Sequence, residues 1–480
     1  MQRERFGRTR AIAGAIAGWT MVLCCSRLGA DGAPASAASA APSPGAGTPR
    51  PAALKPRRLV LCLDGTAASD FNQQRRDQGQ DVLKPSNVLK LCRAVLPWDE
   101  AAGREQIAYY DIGVGALTLY PGLANKVLVS ADKFLGGAWG AGFESNVERG
   151  LEFLVLNHQP GDEVFLFGFS RGAATARGLT RFLDWAGGLP SKEDSYYLPI
   201  LFQKFVLSRG QARVADAIKE INDQSAAEKK SGLGPLVPID VRFLGVWDTV
   251  MALGSRFRAT GGSTSDVSKS FYTDRQPARC VRHARQALAV DESRYDFRPE
   301  VWAAPREGQT LVQRWFAGVH SNIGGGYVND GLANLAFRWM LEGAEEQGLA
   351  VDQRFVAFYR GFILDRLYRS ESAFYRLLDA LRWRCGRGRR ELTGRPASAN
   401  LTLDSSVVKR MRADPEAVKK GGGPANPRLV LYRPQNVIAF LACQPDLDGY
   451  LASIGLDAEQ RQLPKDVMDR IAELRKSCHP

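Results

Sequence analysis

Histidine is scarce in this sequence: His158, His283, His320 and His479 are the four in 480 residues. Chemistry that needs an imidazole base has few places to find one. Cysteine is sparse too. The eight, Cys24, Cys25, Cys62, Cys92, Cys280, Cys385, Cys443 and Cys478, form no CxxC pair, which excludes the common zinc-site spacings and a dense disulfide scaffold. No RNP signature, zinc-finger spacing or basic-aromatic strand is present, so nucleic acid is not an expected partner. No internal repeat points to a solenoid. Beyond the N-terminus no apolar run reaches the ~20 residues that a bilayer span needs.

What is present describes a globular, basic protein. Hydrophobic residues make up 45% and charged residues 24%, an ordinary balance for a chain with a large core. The net charge of +13 favours acidic partners, and with nucleic acid set aside an anionic membrane surface is the expected one. Arg3, Arg5, Arg8 and Arg10 precede a mostly apolar run from Ala11 to Cys25, the plan of an export signal. Residues 1–29 are therefore expected to be a signal peptide or N-terminal anchor, lipidation or a misread start being the alternatives. The expected setting is periplasmic or membrane-anchored. Residues 30–56, rich in Ala, Pro, Ser and Gly, read as a linker.

From residue 57 strands and helices alternate. Arg58–Leu63, Gln106–Asp111, Glu163–Phe169, Val241–Trp247 and Gln313–Val319 read as strands. Asn87–Val95, Phe143–Asn157, Ala173–Trp185 and Leu332–Glu345 read as helices. This alternation predicts an α/β fold, a mostly parallel sheet flanked by helices, over residues 57–348. Residues 186–238 read as a helical insertion. Residues 349–480 read as a C-terminal helical and basic region, with one helix expected from Val351 to Trp383.

Gly168-Phe169-Ser170-Arg171-Gly172 is a G-x-S-x-G element with an apolar strand before it and a small-residue helix after it. That context marks a nucleophile elbow: Gly168 and Gly172 leave room for a sharp turn that lifts the Ser170 hydroxyl to the carboxyl end of the sheet. The helix start directs N–H groups at developing negative charge, and the Arg171 N–H is the expected oxyanion donor. A serine needs a base. His320 follows a predicted strand and opens the glycine-rich loop Ser321–Tyr327. His158 lies on the wrong side of the elbow, His479 at the terminus, and His283 in a stretch read as helical from Arg279, Arg282 and Arg285. The carboxylate of such a triad falls between serine and histidine in this fold. Asp248 is the first polar residue after its strand; its rival role is the N-cap of a helix at Thr249. Asp291, Glu292 and Asp296 are set aside because no clear strand leads into them. Asp64-Gly65-Thr66 closes the first strand, so Gly65 and Thr66 are candidates for the second oxyanion donor. A phosphatase-like D-x-D-G-T reading fails because Cys62 stands where the first aspartate is needed. The chemistry needs neither metal nor cofactor.

The segments LCLDGT at Leu61, SNVLKL at Ser86, PGDEVFLFGFSRGAATAR at Pro160, FLGVWDTVMALG at Phe243, ARQALAVDESR at Ala284 and WFAGVHSNIGGGY at Trp315 occur in one order. Together they resemble an α/β-hydrolase domain family of bacteria and fungi that includes the catalytic domains of class 1 type VI secretion phospholipase effectors. The resemblance implies an α/β-hydrolase fold, a Ser170, Asp248, His320 triad and, for some relatives, phospholipase A-type activity. An ester or phospholipid is then the expected substrate. A thioesterase or peptidase on the same triad, and a non-catalytic binding protein on the same fold, are the rival readings. Two departures stand out. LCLDGT continues as AAS where many relatives carry an aromatic residue and an asparagine. An export-type N-terminus also differs from effectors loaded in the cytoplasm.

Overall fold

The computed structural model describes residues 55–65, 74–77, 80–83, 85–113, 139–250, 275–294, 297–370, 389–393, 399–413 and 431–476. The leader, most of the linker, Thr66, Asp296, His479 and the arginines at 382, 384, 387 and 395 lie outside them.

In chain order the first half of the fold holds β1 (Arg58–Leu63), the pair β2 (Gln74–Asp77) and β3 (Gln80–Leu83), α1 (Asn87–Ala94), β4 (Trp98–Asp99), β5 (Arg104–Asp111), α2 (Trp139–Asn157), β6 (Glu163–Phe169) and α3 (Arg171–Ala186). The insertion α4 (Leu198–Ser208) and α5 (Val214–Ala227) follows, then β7 (Asp240–Trp247), β8 (Val281–Ala289), β9 (Thr310–Phe316), α6 (His320–Gly324), α7 (Gly331–Glu345) and α8 (Gln353–Val356). The last elements are β10 (Leu401–Leu403), α9 (Ser405–Arg412), α10 (Gln435–Ala442), α11 (Leu447–Ser453) and α12 (Lys465–Arg475).

The main sheet has eight strands in the order β10-β9-β8-β7-β6-β1-β5-β4. Every neighbouring pair is parallel except β4 with β5. The reason is visible in β1. Leu59, Leu61 and Leu63 face one apolar cluster, with α2, α3 and the insertion helices. Val60 and Cys62 face another, with α1 and α7. A strand buried on both faces favours an unbroken apolar run, here Leu59–Leu63, as in parallel strands covered by helices. The chain leaves β1 for β5 on one side and returns to β6 on the other. That reversal opens a crevice beyond the carboxyl ends of β1 and β6, where ligands bind in open α/β sheets.

Two expectations are corrected here. The stretch around His283 is β8, not a helix. Its Arg282 and Arg285 are anchored by Asp240 and Glu346, while Ala284 and Gln286 are buried. Of the helix expected from Val351 to Trp383, the described residues hold one helix, Gln353–Val356, and no helix from 357 to 370; residues 371–383 lie outside the described residues. Beyond it, side chains of the body take up backbone carbonyls: Asn334 donates to Arg360 O at 3.1 Å, Arg410 to Asp365 O at 2.9 Å and Asn322 to Arg366 O at 3.2 Å. With those acceptors satisfied the segment needs no helical ladder.

The chain after residue 349 is built into the same sheet. β10 pairs with β9, and Gln313 bridges the junction, donating to Trp302 O at 2.8 Å and Ala399 O at 2.7 Å. α9, α10, α11 and α12 bury Val407, Met411, Val437, Leu441, Leu451, Val467 and Ile471 against Leu288, Val290 and Trp315 of the sheet's edge.

Candidate active site

Ser170 sits between β6 and α3 with φ 57° and ψ −119°, a backbone region that costs a non-glycine residue free energy and is held only where the surroundings enforce it. The enforcement is close packing. A Cβ at Gly172 would lie 2.0 Å from Leu63 O, and one at Gly168 would lie 2.5 Å from Gly172 O. The Ser170 N–H donates to Trp247 O at 3.0 Å, which ties the turn to the end of β7. Ser170 occupies the N-cap position of α3, yet its hydroxyl makes no capping bond. N-cap serines ordinarily spend their oxygen on the helix; this one does not. Burial lowers the Arg171 guanidinium to about 10, so it stays charged beside the elbow at neutral pH.

Asp248 leaves β7 with φ 42° and its side chain wholly buried. It does not cap a helix at Thr249: Val250 forms a bridge with Pro299, and Thr249 Oγ1 donates to Gln286 Oε1 at 2.6 Å. Its carboxylate instead meets the imidazole, with His320 Nδ1 2.6 Å from Oδ2. Oδ1 accepts the Ala289 N–H at 3.1 Å. His320 opens α6 just beyond β9. Its ring packs 4.7 Å from the Phe169 ring and 4.9 Å from that of Phe297. Gly324 is required for this stack, because a Cβ there would fall 2.0 Å from the Phe169 ring. Asn87 holds α6 and α7 together by donating to Ile323 O and Ala333 O, both at 2.8 Å. His320 and Ser170 make no hydrogen bond to each other in this resting arrangement; such bonds often tighten only when substrate is bound.

Burial pushes the His320 pKa down, and contact with Asp248 only partly reverses this. Burial acts to raise Asp248, but the charge of Arg390 and the bond to His320 outweigh it and hold the carboxyl below its usual value. The pair is thus poised as carboxylate with neutral imidazole, the state of a ready base.

Gly65 lies against the elbow, 3.2 Å from Ser170 Cβ to an added Cβ. Its N–H donates to Asp64 Oδ1 at 2.7 Å, so the donor expected from Gly65 is engaged elsewhere in this structure. Asp64 is locked in turn by Ser86 Oγ and by Tyr110 OH at 2.7 Å. Of the other histidines, His283 bonds Thr310 Oγ1 at 2.7 Å near the start of β8, and His158 follows α2; neither is at the carboxyl end of the sheet. Among the described residues no group of three or more His, Cys, Asp or Glu side chains is placed to hold a metal ion.

Residues 57–343 match the family described as "T6SS, Phospholipase effector Tle1-like, catalytic domain". The chain belongs to this family. The uncharacterised protein YEL023C of Saccharomyces cerevisiae is 23% identical over 245 residues, which cover 50% of this chain and 32% of that one. The chain therefore spans about a third of that relative's length. Among solved structures, an uncharacterised Pseudomonas aeruginosa protein is similar at 16% identity and a TM-score of 0.42, over 88% of this chain and 62% of that one. The Tle1 effector bound to the VgrG spike of the type VI secretion system is similar at 16% identity and a TM-score of 0.36, over 72% and 82%.

All three triad candidates fall inside the family match; beside them lie two charged residues, Glu292, which the sequence reading sets aside, and Arg390, which it does not single out. Glu292 accepts the backbone N–H of His320 at 3.2 Å and pairs with Arg294 at 2.9 Å. A strand does lead into it, since β8 ends at Ala289. Arg390 lies beyond the match altogether, and its Nη2 donates to Asp248 Oδ2 at 2.9 Å with both side chains fully buried.

Proposed function

We propose that this protein is a serine hydrolase of phospholipid acyl esters, with Ser170 as nucleophile, His320 as general base and Asp248 as the carboxylate that orients it. The observation that carries the reading is the buried 2.6 Å contact of Asp248 with His320 at the sheet end where the strained Ser170 turn emerges. Family membership supports the lipid substrate.

The chemistry follows from these groups. His320 Nε2 takes the Ser170 hydroxyl proton as Oγ attacks the ester carbonyl, and the carbonyl π electrons move to oxygen. The Arg171 N–H at the start of α3 stabilises that oxyanion, aided by the positive end of the helix. Collapse expels the alcohol, which takes the proton from His320. Water, deprotonated by His320, then attacks the acyl-serine, and the carboxylic acid leaves as Ser170 recovers its proton. Asp248 holds the Nδ1–H tautomer throughout and stays ionised. The arginine-rich, then apolar N-terminus supports an exported or anchored setting for this activity.

The test uses the full chain and its Ser170→Ala variant with a panel of phospholipid, triglyceride, thioester and peptide substrates, and with a fluorophosphonate probe. Wild-type protein should hydrolyse phospholipid and be labelled once, at Ser170. The variant should lose activity by at least roughly a thousandfold at unchanged thermal stability. Activity surviving in pure Ser170→Ala protein, or a thioester or peptide preferred over lipid, would overturn the assignment or its substrate.

A further inference from the structure

We infer that Arg390 is a positioning residue of the triad, supplied by the chain beyond the family match, which clamps the Asp248 carboxylate and biases His320 toward its neutral, proton-accepting form. The inference rests on the triad reading above.

The geometry is a three-point clamp. Asp248 Oδ2 receives both His320 Nδ1, at 2.6 Å, and Arg390 Nη2, at 2.9 Å. Oδ1 receives the Ala289 N–H at 3.1 Å. A carboxylate held at both oxygens has one orientation left, and the imidazole inherits it. Arg390 is itself fixed by its main chain. Asn436 of α10 donates to Arg390 O at 3.1 Å and to Val290 O at 3.0 Å, joining the segment to the end of β8. Leu392, two residues on, is buried in the cluster beneath α9 and α10. The guanidinium is fully buried, and among the described residues its Nε and Nη1 have no hydrogen-bond partner. Such a charge is tolerated only beside a compensating one, and Asp248 is that partner.

The electrostatic consequence has a definite sign. The charged groups that act on the Asp248–His320 pair are, besides Asp248 itself, the negative Glu292 and the positive Arg294, both acting on His320, and the positive Arg390, which acts through Asp248. Behind them stand Asp291, Tyr432 and Arg410, with Tyr432 OH donating to Asp291 at 2.8 Å. The inner four balance. Removing Arg390 leaves one uncompensated negative charge facing a site that can bind a proton. The Asp248–His320 pair then takes up that proton at higher pH, whichever of the two carries it.

The experiment follows the rate of Ser170 labelling by a fluorophosphonate from about pH 5 to about pH 9, spanning the range in which imidazole titrates. It uses full-length wild type, Arg390→Gln and Arg390→Lys, with thermal unfolding of each. Arg390→Gln should move the acid limb up by roughly one unit or more, the size expected from losing a charge at contact distance. Arg390→Lys keeps the charge and should keep the limb, while its single-point contact slows labelling. A folded Arg390→Gln protein with the wild-type limb overturns the inference and leaves the triad standing. Wild type that is not labelled at Ser170 overturns the hydrolase reading, and this inference with it. Should Arg390→Gln fail to fold, Asp248→Asn is added to it, so that neither charge is left alone. Recovery of the fold supports the pairing, and continued unfolding assigns Arg390 a structural role and overturns the proposal.

Discussion

Glu292 acts on the imidazole with the opposite sign to Arg390. Burial acts to raise its pKa, but the hydrogen bond and charge of Arg294, with Arg390 behind, bring it down to about 2. A carboxylate lowered by folding stabilises the fold above its ordinary value of ~4.3 and loses that contribution as pH falls from there to about 2. Glu292→Gln should therefore be less stable than wild type at neutral pH, by on the order of 3 kcal/mol, and the gap should close in denaturation measured near pH 2. Glu292 also attracts a proton to His320. Its loss should move the acid limb of Ser170 labelling down, by a few tenths of a unit to one unit. A limb moving up in Glu292→Gln would mean that charge balance does not govern the imidazole. Among the candidate-site residues, Ser170, Asp248 and His320 can be singled out in the sequence because each follows an apolar strand and so reaches the same sheet end. Glu292 is hidden because Arg279, Arg282 and Arg285, spaced three apart, mimic a helix face and mask the strand leading into it. Arg390 is out of reach, since 142 residues separate it from Asp248 and no local pattern joins them.

At the scale of elements the sequence reports burial better than it reports connection. β1, β6 and β7 carry the apolar runs Leu59–Leu63, Val164–Phe169 and Phe243–Trp247 because helices cover both their faces, and their limits can be read nearly to the residue. β10 has three residues and exists as a strand only because β9 offers it an unpaired edge. α9 to α12 are short helices that owe their place to the apolar edge formed by Leu288, Val290 and Trp315. The C-terminal region thus covers the sheet's edge and carries Arg390 to Asp248. Leu441 of α10 is fully buried in this cluster. Leu441→Ala should cost about 2–4 kcal/mol through lost transfer energy and the cavity left behind, read as a fall in the denaturation midpoint of the whole chain. A loss below roughly 0.5 kcal/mol, the level of surface substitutions, would mean that the C-terminal helices do not share the cooperative unit of the sheet.

For the whole molecule the governing quantity is the net charge of +13. With phospholipid as the proposed substrate, a charge of this size would draw the protein to an anionic lipid surface before any specific contact forms, and salt would screen that attraction over a Debye length of about 8–10 Å at physiological ionic strength. The chemistry proposed at Ser170 is different in kind. It depends on buried groups at contact distance, which salt barely screens. The two steps should therefore separate. On vesicles rich in anionic phospholipid, hydrolysis should fall several-fold or more as salt is raised from about 0.05 M to about 0.5 M. On neutral vesicles it should change little, and labelling of Ser170 by a small uncharged fluorophosphonate should keep its rate. Equal salt dependence on both kinds of vesicle would remove surface charge as the means of approach. Salt dependence of the labelling itself would show that ions reach the triad, against the burial of Asp248 and His320 on which the proposed mechanism stands.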